Sequence, residues 1–395
     1  MKKKMNLSYI TKKIVILVIF ILCFILAACV NGEKSGNGEQ GSWDFDAESS
    51  RAFKEGKYFL LLNDNGTISI NTYKNSEIIE LQTFIISESS LFATDQEERV
   101  AIVHADKNIV IIYEFQTSEE IEVYVPFKIW PKSILLNGDN LFVGGIMYEG
   151  VYEIMLAQYH IQSGEWFRLE IPEHLARWGK AVDDLVVSDS FLIAIDNIVL
   201  PKYILFYHLN STCKLELSHY KQVPSNGGWE TIRQGWITLD YLGLLSETFG
   251  GWGGGTFEHI TIYNNLDLTS SFTISIASER FPLEAMNQID EIGWPDFYTI
   301  NDFLIFGDKV LFAHRTKGLG AFKIDDSYFE FNNENPYSRR NARVDADKIK
   351  YIPFENEEII RLTLIPNEPK IVLTLRNTLG RIKHEIFCLL QGMTK

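Results

Sequence analysis

The chain has 395 residues, 46% of them hydrophobic and 13% aromatic, and a formal net charge of −15 at pH 7. An acidic body is repelled by nucleic acid and by anionic lipid, so neither is expected as its ligand. Four cysteines are too few for a disulfide framework, so a buried core must supply the stability.

Lys2, Lys3, Lys4, Lys12 and Lys13 form a basic leader, and Ile14 to Leu26 are apolar without a break. Thirteen apolar residues fall short of the ~20 that a helical membrane span needs, which predicts a cleaved signal. Leu26-Ala27-Ala28-Cys29 closes the run. This tetrapeptide closely resembles the lipobox of bacterial lipoproteins, a resemblance that covers residues 1–29 only. It implies a diacylglycerol on the Cys29 sulfur and cleavage just before that residue. The mature chain would then sit on the extracytoplasmic face of the cell membrane, with membrane lipid as its partner through Cys29. One acyl chain, at ~0.8 kcal/mol per buried CH₂, anchors marginally, whereas two anchor stably. Losing residues 1–28 removes five lysines and no acid, leaving 32 basic against 52 acidic residues, a net −20.

Residues 29–56 read as the lipidated Cys29, a tether and an entry segment. Asn31 to Ser42 (NGEKSGNGEQGS) carry no apolar side chain and are expected to be flexible, with a reach of about 20 Å. Trp43 to Lys54 is transitional.

Residues 57–395 alternate short β-type runs with turn residues. Hairpins are expected at Tyr58 to Leu62 with Thr67 to Asn71, Arg99 to His104 with Ile109 to Phe115, and Ser133 to Leu136 with Leu141 to Met147. Leu185 to Val187 with Phe191 to Ile195 and Phe303 to Phe306 with Val310 to His314 repeat the rhythm. Further strands are expected at Tyr203 to Leu209, Trp236 to Leu242, Ile260 to Tyr263, Phe272 to Ile276, Gly320 to Ile324, Ile359 to Ile365, Ile371 to Leu375 and Arg381 to Leu389. Equivalent strands begin near 58, 100, 141, 191, 237, 310 and 360. Most intervals fit a blade-sized unit of ~40–50 residues. The fold class is therefore all-β, a β-propeller of seven blades, with six or eight also compatible and a β-sandwich pair as the other architecture. It resembles propeller repeats only generically, lacking the Gly-His and Trp-Asp signatures of the WD40 family. Lys57 to Leu62 is expected to pair with the last blade, around Ile371 to Leu389. The long fifth interval predicts an insertion, assigned to Phe249-Gly250-Gly251-Trp252-Gly253-Gly254-Gly255-Thr256-Phe257. Pro172 to Lys180 reads as helix-like, with Leu175 and Trp178 packing over a blade edge. Cys213 and Cys388 are expected to be unpaired, small and buried.

The candidate binding residues are Trp229, Trp252 and Phe257, on or beside two Gly-Trp stretches (224–229 and 249–257) that allow repeated positive φ. Their other reading is packing on the propeller rim. The eight histidines stand singly, with no HExxH or paired-ligand spacing, so no metal or other cofactor is expected. Asp183-Asp184 and Asp325-Asp326 read as solvated turns. No Gly-x-Ser-x-Gly elbow or phosphate loop occurs. The expectation is a monomeric, non-catalytic module that binds an envelope protein or glycan. The alternative is a glycan hydrolase or lyase with carboxylates at the central channel.

Overall fold

The computed structural model describes residues 57–389 with internal breaks, the longest at 278–299 and 330–341. Cys29, the leader, the tether, Trp178, Cys213 and Trp252 lie outside the described residues. The chain forms a seven-bladed β-propeller.

Blade one holds β1 (Tyr58–Asn63), β2 (Thr67–Lys74) and β3 (Glu77–Ile85). Blade two holds β4 (Ser90–Thr94), β5 (Arg99–His104), β6 (Ile109–Glu114) and β7 (Glu120–Tyr124). Blade three runs from β8 (Ile129–Asn137) through β9 (Asn140–Met147) and β10 (Glu153–His160) to β11 (Glu165–Arg168). Blade four contains β12 (Val182–Val187), β13 (Phe191–Asp196), β14 (Tyr203–His208) and β15 (Glu216–Gln222). In blade five, β16 (Trp229–Ile237), β17 (Tyr241–Phe249), β18 (Thr256–Asn264) and β19 (Ser271–Ala277) are followed outward by a late strand, β23 (Ala342–Arg343). Blade six is β20 (Ile300–Phe306), β21 (Lys309–His314), β22 (Gly318–Lys323) and β24 (Lys350–Ile352). Blade seven is β25 (Glu357–Leu364), β26 (Lys370–Asn377) and β27 (Ile382–Cys388). Every pairing is antiparallel except that of β23 on β19.

Each blade buries both faces, so its middle strands are apolar almost throughout: all six residues of β21 are buried. Adjacent blades share one apolar cluster per junction. The richest, between blades five and six, holds fourteen buried hydrophobic side chains, among them Phe272, Phe303 and Phe312. The two junctions of blade one hold four, with blade seven, and three, with blade two.

Several expectations are corrected. β1 pairs with β2, and no strand of blade seven pairs with it among the described residues. Among the described residues, blades seven and one are joined through side chains. Phe59 and Leu61 pack on Ile365 and Val372, Lys370 Nζ donates to Tyr73 Oη at 3.1 Å, and His384 Nε2 lies 3.2 Å from Asn63 Oδ1. Trp236 to Leu242 is not one strand: it holds the end of β16, a turn at 238–240 and the start of β17. The Thr238 hydroxyl accepts from Tyr241 N at 3.0 Å and holds that turn, with Leu239 exposed. The expected insertion at Phe249 to Phe257 falls largely on residues 250–255, which lie outside the described residues; β17 and β18 are continuously paired from Tyr241–Asn264 to Phe249–Thr256 on either side of it. The extra length of the fifth unit lies in its nine-residue strands and after Ala277. Described residues Glu173 to Leu175 form a turn whose Leu175 packs between blades three and four. Cys388 is a free thiol but half-buried, because β27 is an outer strand.

Candidate functional site

The inner strands β1, β4, β8, β12, β16, β20 and β25 line the axis. In five of them the ladder to the next strand slips by one residue near its start, at Lys132, Asp183, Arg233, Asn301 and Ile360. Such a bulge re-aims the side chain that follows it. Here the following residues are Ser133, Asp184, Gln234, Asp302 and Arg361, and the first four tie blades three to seven in succession. Ser133 Oγ donates to Val182 O at 2.9 Å. Asp184 Oδ2 accepts from Gly235 N at 2.5 Å. Gln234 Nε2 donates to Asp302 Oδ1 at 2.7 Å, and Asp302 Oδ2 accepts from Leu362 N at 2.7 Å. A Cβ at Gly235 would stand 2.5 Å from Ile195 Cδ1, so a larger residue there would have to displace that side chain. The Arg361 guanidinium lies 5.2 Å from the Phe92 ring centre, so it reaches from blade seven to blade two past β1.

Burial pushes the Asp184 carboxyl up to about 7, against the N–H groups of Gly235 and Leu185, with Asp302 adding to the rise. Burial likewise raises Asp302, opposed chiefly by the Leu362 N–H. Asp183-Asp184 is thus strand, not a solvated turn. Asp325 does cap a turn: its Oδ1 accepts from Ser327 N at 2.9 Å ahead of a single 3-10 turn, Asp326–Tyr328. Sequence reasoning missed Asp184 and Asp302 because the bulge that turns them inward leaves no mark in the alternation.

Closer to the face where the inner strands begin, Glu258 bridges blades five and six. It pairs with Arg233 at 2.5 Å, and its second oxygen accepts from Ile300 N at 2.9 Å. Glu358 holds Arg376, Arg315 and Asn301. Burial alone would raise the Glu358 carboxyl, but these three partners bring it below its ordinary value. Among the described residues, no three His, Cys, Asp or Glu side chains are grouped to hold a metal ion.

Of the sequence-selected residues, Trp229 and Phe257 sit in strands that reach the same face. Before its bulge β16 has four residues, Trp229 to Ile232, where β12 and β20 have one each, Val182 and Ile300. At ~3.3 Å per residue, the strands of blade five extend about 10 Å beyond the strands of blades four and six. Trp229 opens β16 opposite Phe249, which pairs onward with Thr256; Phe257 stands opposite Thr248. Trp229 and Phe257 are therefore brought to one projecting end, on adjacent rows of its ladder. Trp252 lies outside the described residues.

No family model matches the chain, and no curated protein matches it. Among solved structures it is similar to the β-propeller domain of the Trilobed protease from Pyrococcus furiosus, at 12% identity and a TM-score of 0.45, covering 85% of this chain and 93% of that one. It is also similar to the Cps50 (Swd1) β-propeller domain of Myceliophteria thermophila, at 12% identity and 0.47, covering 84% and 97%. A third similar structure is U3-55K, at 10% identity and 0.48, covering 82% and 89%.

Proposed function

We propose that this chain is a lipid-anchored extracytoplasmic binding protein whose propeller presents the end of blade five to a protein or glycan partner, without chemistry of its own. The observation that carries this reading is the extension of β16, β17 and β18 past their neighbours, with Trp229, Phe249 and Phe257 at its end. Aromatic residues dominate the energetics of binding surfaces, whether the partner is a protein or a sugar ring. Leu26-Ala27-Ala28-Cys29 supports the anchor. A glycan hydrolase or lyase would need carboxylates free to exchange protons at the channel. Asp184 and Asp302 instead accept backbone N–H bonds from neighbouring blades, which supports the binding reading.

Two measurements test it. Feeding cells an alkyne fatty acid should label the chain, and Cys29→Ser should abolish the label and release the protein from membranes. Unchanged membrane retention by Cys29→Ser overturns the anchor. The tagged full chain should retain an envelope protein or glycan that the folded Trp229→Ala/Trp252→Ala variant loses. Equal retention by both moves the binding site away from blade five.

A further inference from the structure

Among the described residues, blade one has three strands, without the fourth that blades two, three and four possess. β3 ends at Ile85 and β4 begins at Ser90, so residues 86–89 alone separate the outer strand of blade one from the inner strand of blade two. Four residues span ~13 Å at most, enough for the crossing and not for another strand. Among the described residues, nothing pairs with the outer edge of β3. That edge does not carry the lysines or prolines that blunt an exposed strand. Instead Ile79, Leu81 and Ile85 are 39%, 48% and 83% exposed. The ladder to β2 slips at Leu81, so an incoming strand would pair in two runs, along Glu77 to Glu80 and along Gln82 to Ile85.

What borders the vacant position defines what fits it. β7 of blade two lies one strand further out than β3. In its ladder Tyr113 pairs with Glu120, Ile111 with Glu122 and Ile109 with Tyr124. Tyr113 meets Phe84 of β3 edge-on at 5.3 Å. Directly paired residues share a face, so Glu120, Glu122 and Tyr124 stand on the side of blade two that looks towards blade one. All three are exposed, as are Glu77 and Glu80 on β3. Lys74 is the only basic residue in β1, β2, β3 and β7. The vacancy is therefore an apolar strand edge beside an acidic wall.

We propose that the open edge of β3 receives an extended segment of a partner protein in which apolar and basic residues alternate. The segment's backbone continues the sheet of blade one, its basic face meets Glu120 and Glu122, and a cation lies over Tyr124. This site is separate from the end of blade five and does not depend on the lipid anchor.

The test uses the full chain in detergent and a fluorescent nonapeptide of alternating valine and lysine, read by anisotropy. Binding is expected. It should weaken at least ten-fold for Glu120→Lys/Glu122→Lys, with an unchanged melting temperature, and at least ten-fold when alternate peptide amides are N-methylated. A valine–glutamate peptide should not bind. The proposal fails if the valine–lysine peptide does not bind, or if the charge-reversed variant binds it equally. Equal binding of the N-methylated peptide would reduce the effect to charge adsorption and also overturns strand addition. A free chain that is dimeric and becomes monomeric with Ile79→Lys would show that a second copy fills the edge, which overturns it as well.

Discussion

Fourteen buried hydrophobic side chains fill the junction of blades five and six, against four and three in the two junctions of blade one. The polar ties differ in the same direction. Ser133, Asp184, Gln234 and Asp302 link blade three to four, four to five, five to six and six to seven at one level of the channel. Arg361 then passes over β1 to reach Phe92 in blade two. Blade one is thus attached from the side, by few apolar contacts and by Tyr73 and Asn63. Among the described residues no strand is exchanged between blades one and seven, and the weakest junctions fall where the described chain begins and ends. Local opening is expected there first.

The largest effect that would sharpen this comparison comes from two Phe→Ala changes. Phe303 is fully buried in the cluster between blades five and six, and Phe303→Ala should cost about 3–5 kcal/mol of global stability in a urea titration. Phe59→Ala removes a side chain that is equally buried. It should lose less global stability and show instead as fast hydrogen exchange confined to β1, β2 and β3. Equal global losses without local exchange would break the comparison.

The next effect is a pair of opposed pH slopes on the strongly held side. The Asp184 carboxyl, raised by burial from 3.8 to about 7, keeps its proton in the fold while the unfolded chain loses it. Its contribution is full below pH 4 and is lost as pH rises to about 7. His314 behaves oppositely. Burial lowers it to about 4, so its contribution is present above 6.5, the ordinary value, and is lost as pH falls towards 4. The parent should therefore show a shallow profile between pH 4 and 7. His314→Gln should leave stability falling with pH, and Asp184→Asn should leave it rising, each by a few kcal/mol over that range. Parallel profiles for all three proteins would refute the assignment. The smallest effect is Tyr73→Phe, which removes the hydroxyl that accepts from Lys370. It should cost less than about 1 kcal/mol and be visible only as exchange in blade one.

Hairpins built on a central strand were legible because both arms are apolar and a polar turn separates them, as in Phe303 to His314. Outer strands were not. β3, β7 and β15 carry exposed charges along their length, and Glu216 to Gln222 alternates half-buried with exposed residues. Such runs read as loop when the neighbouring blade is unknown. The candidate site divides similarly. Trp229 and Phe257 were selectable as aromatics beside glycine-rich stretches, yet their placement at one end depends on the ladder across β16, β17 and β18.

The sequence by itself determined an acidic, disulfide-poor, all-β body of about seven repeating units, because alternation and turn residues are local signals. It also carried the Leu-Ala-Ala-Cys29 motif on which the anchor proposal rests. The tertiary structure was needed to place the inner strands on the axis, to show that β1 pairs with β2 and, among the described residues, with no strand of blade seven, and to reveal Asp184 and Asp302 as ties between blades. Those outcomes turn on single-residue slips in register, and a slip reverses the facing of every later side chain without changing the composition of the strand.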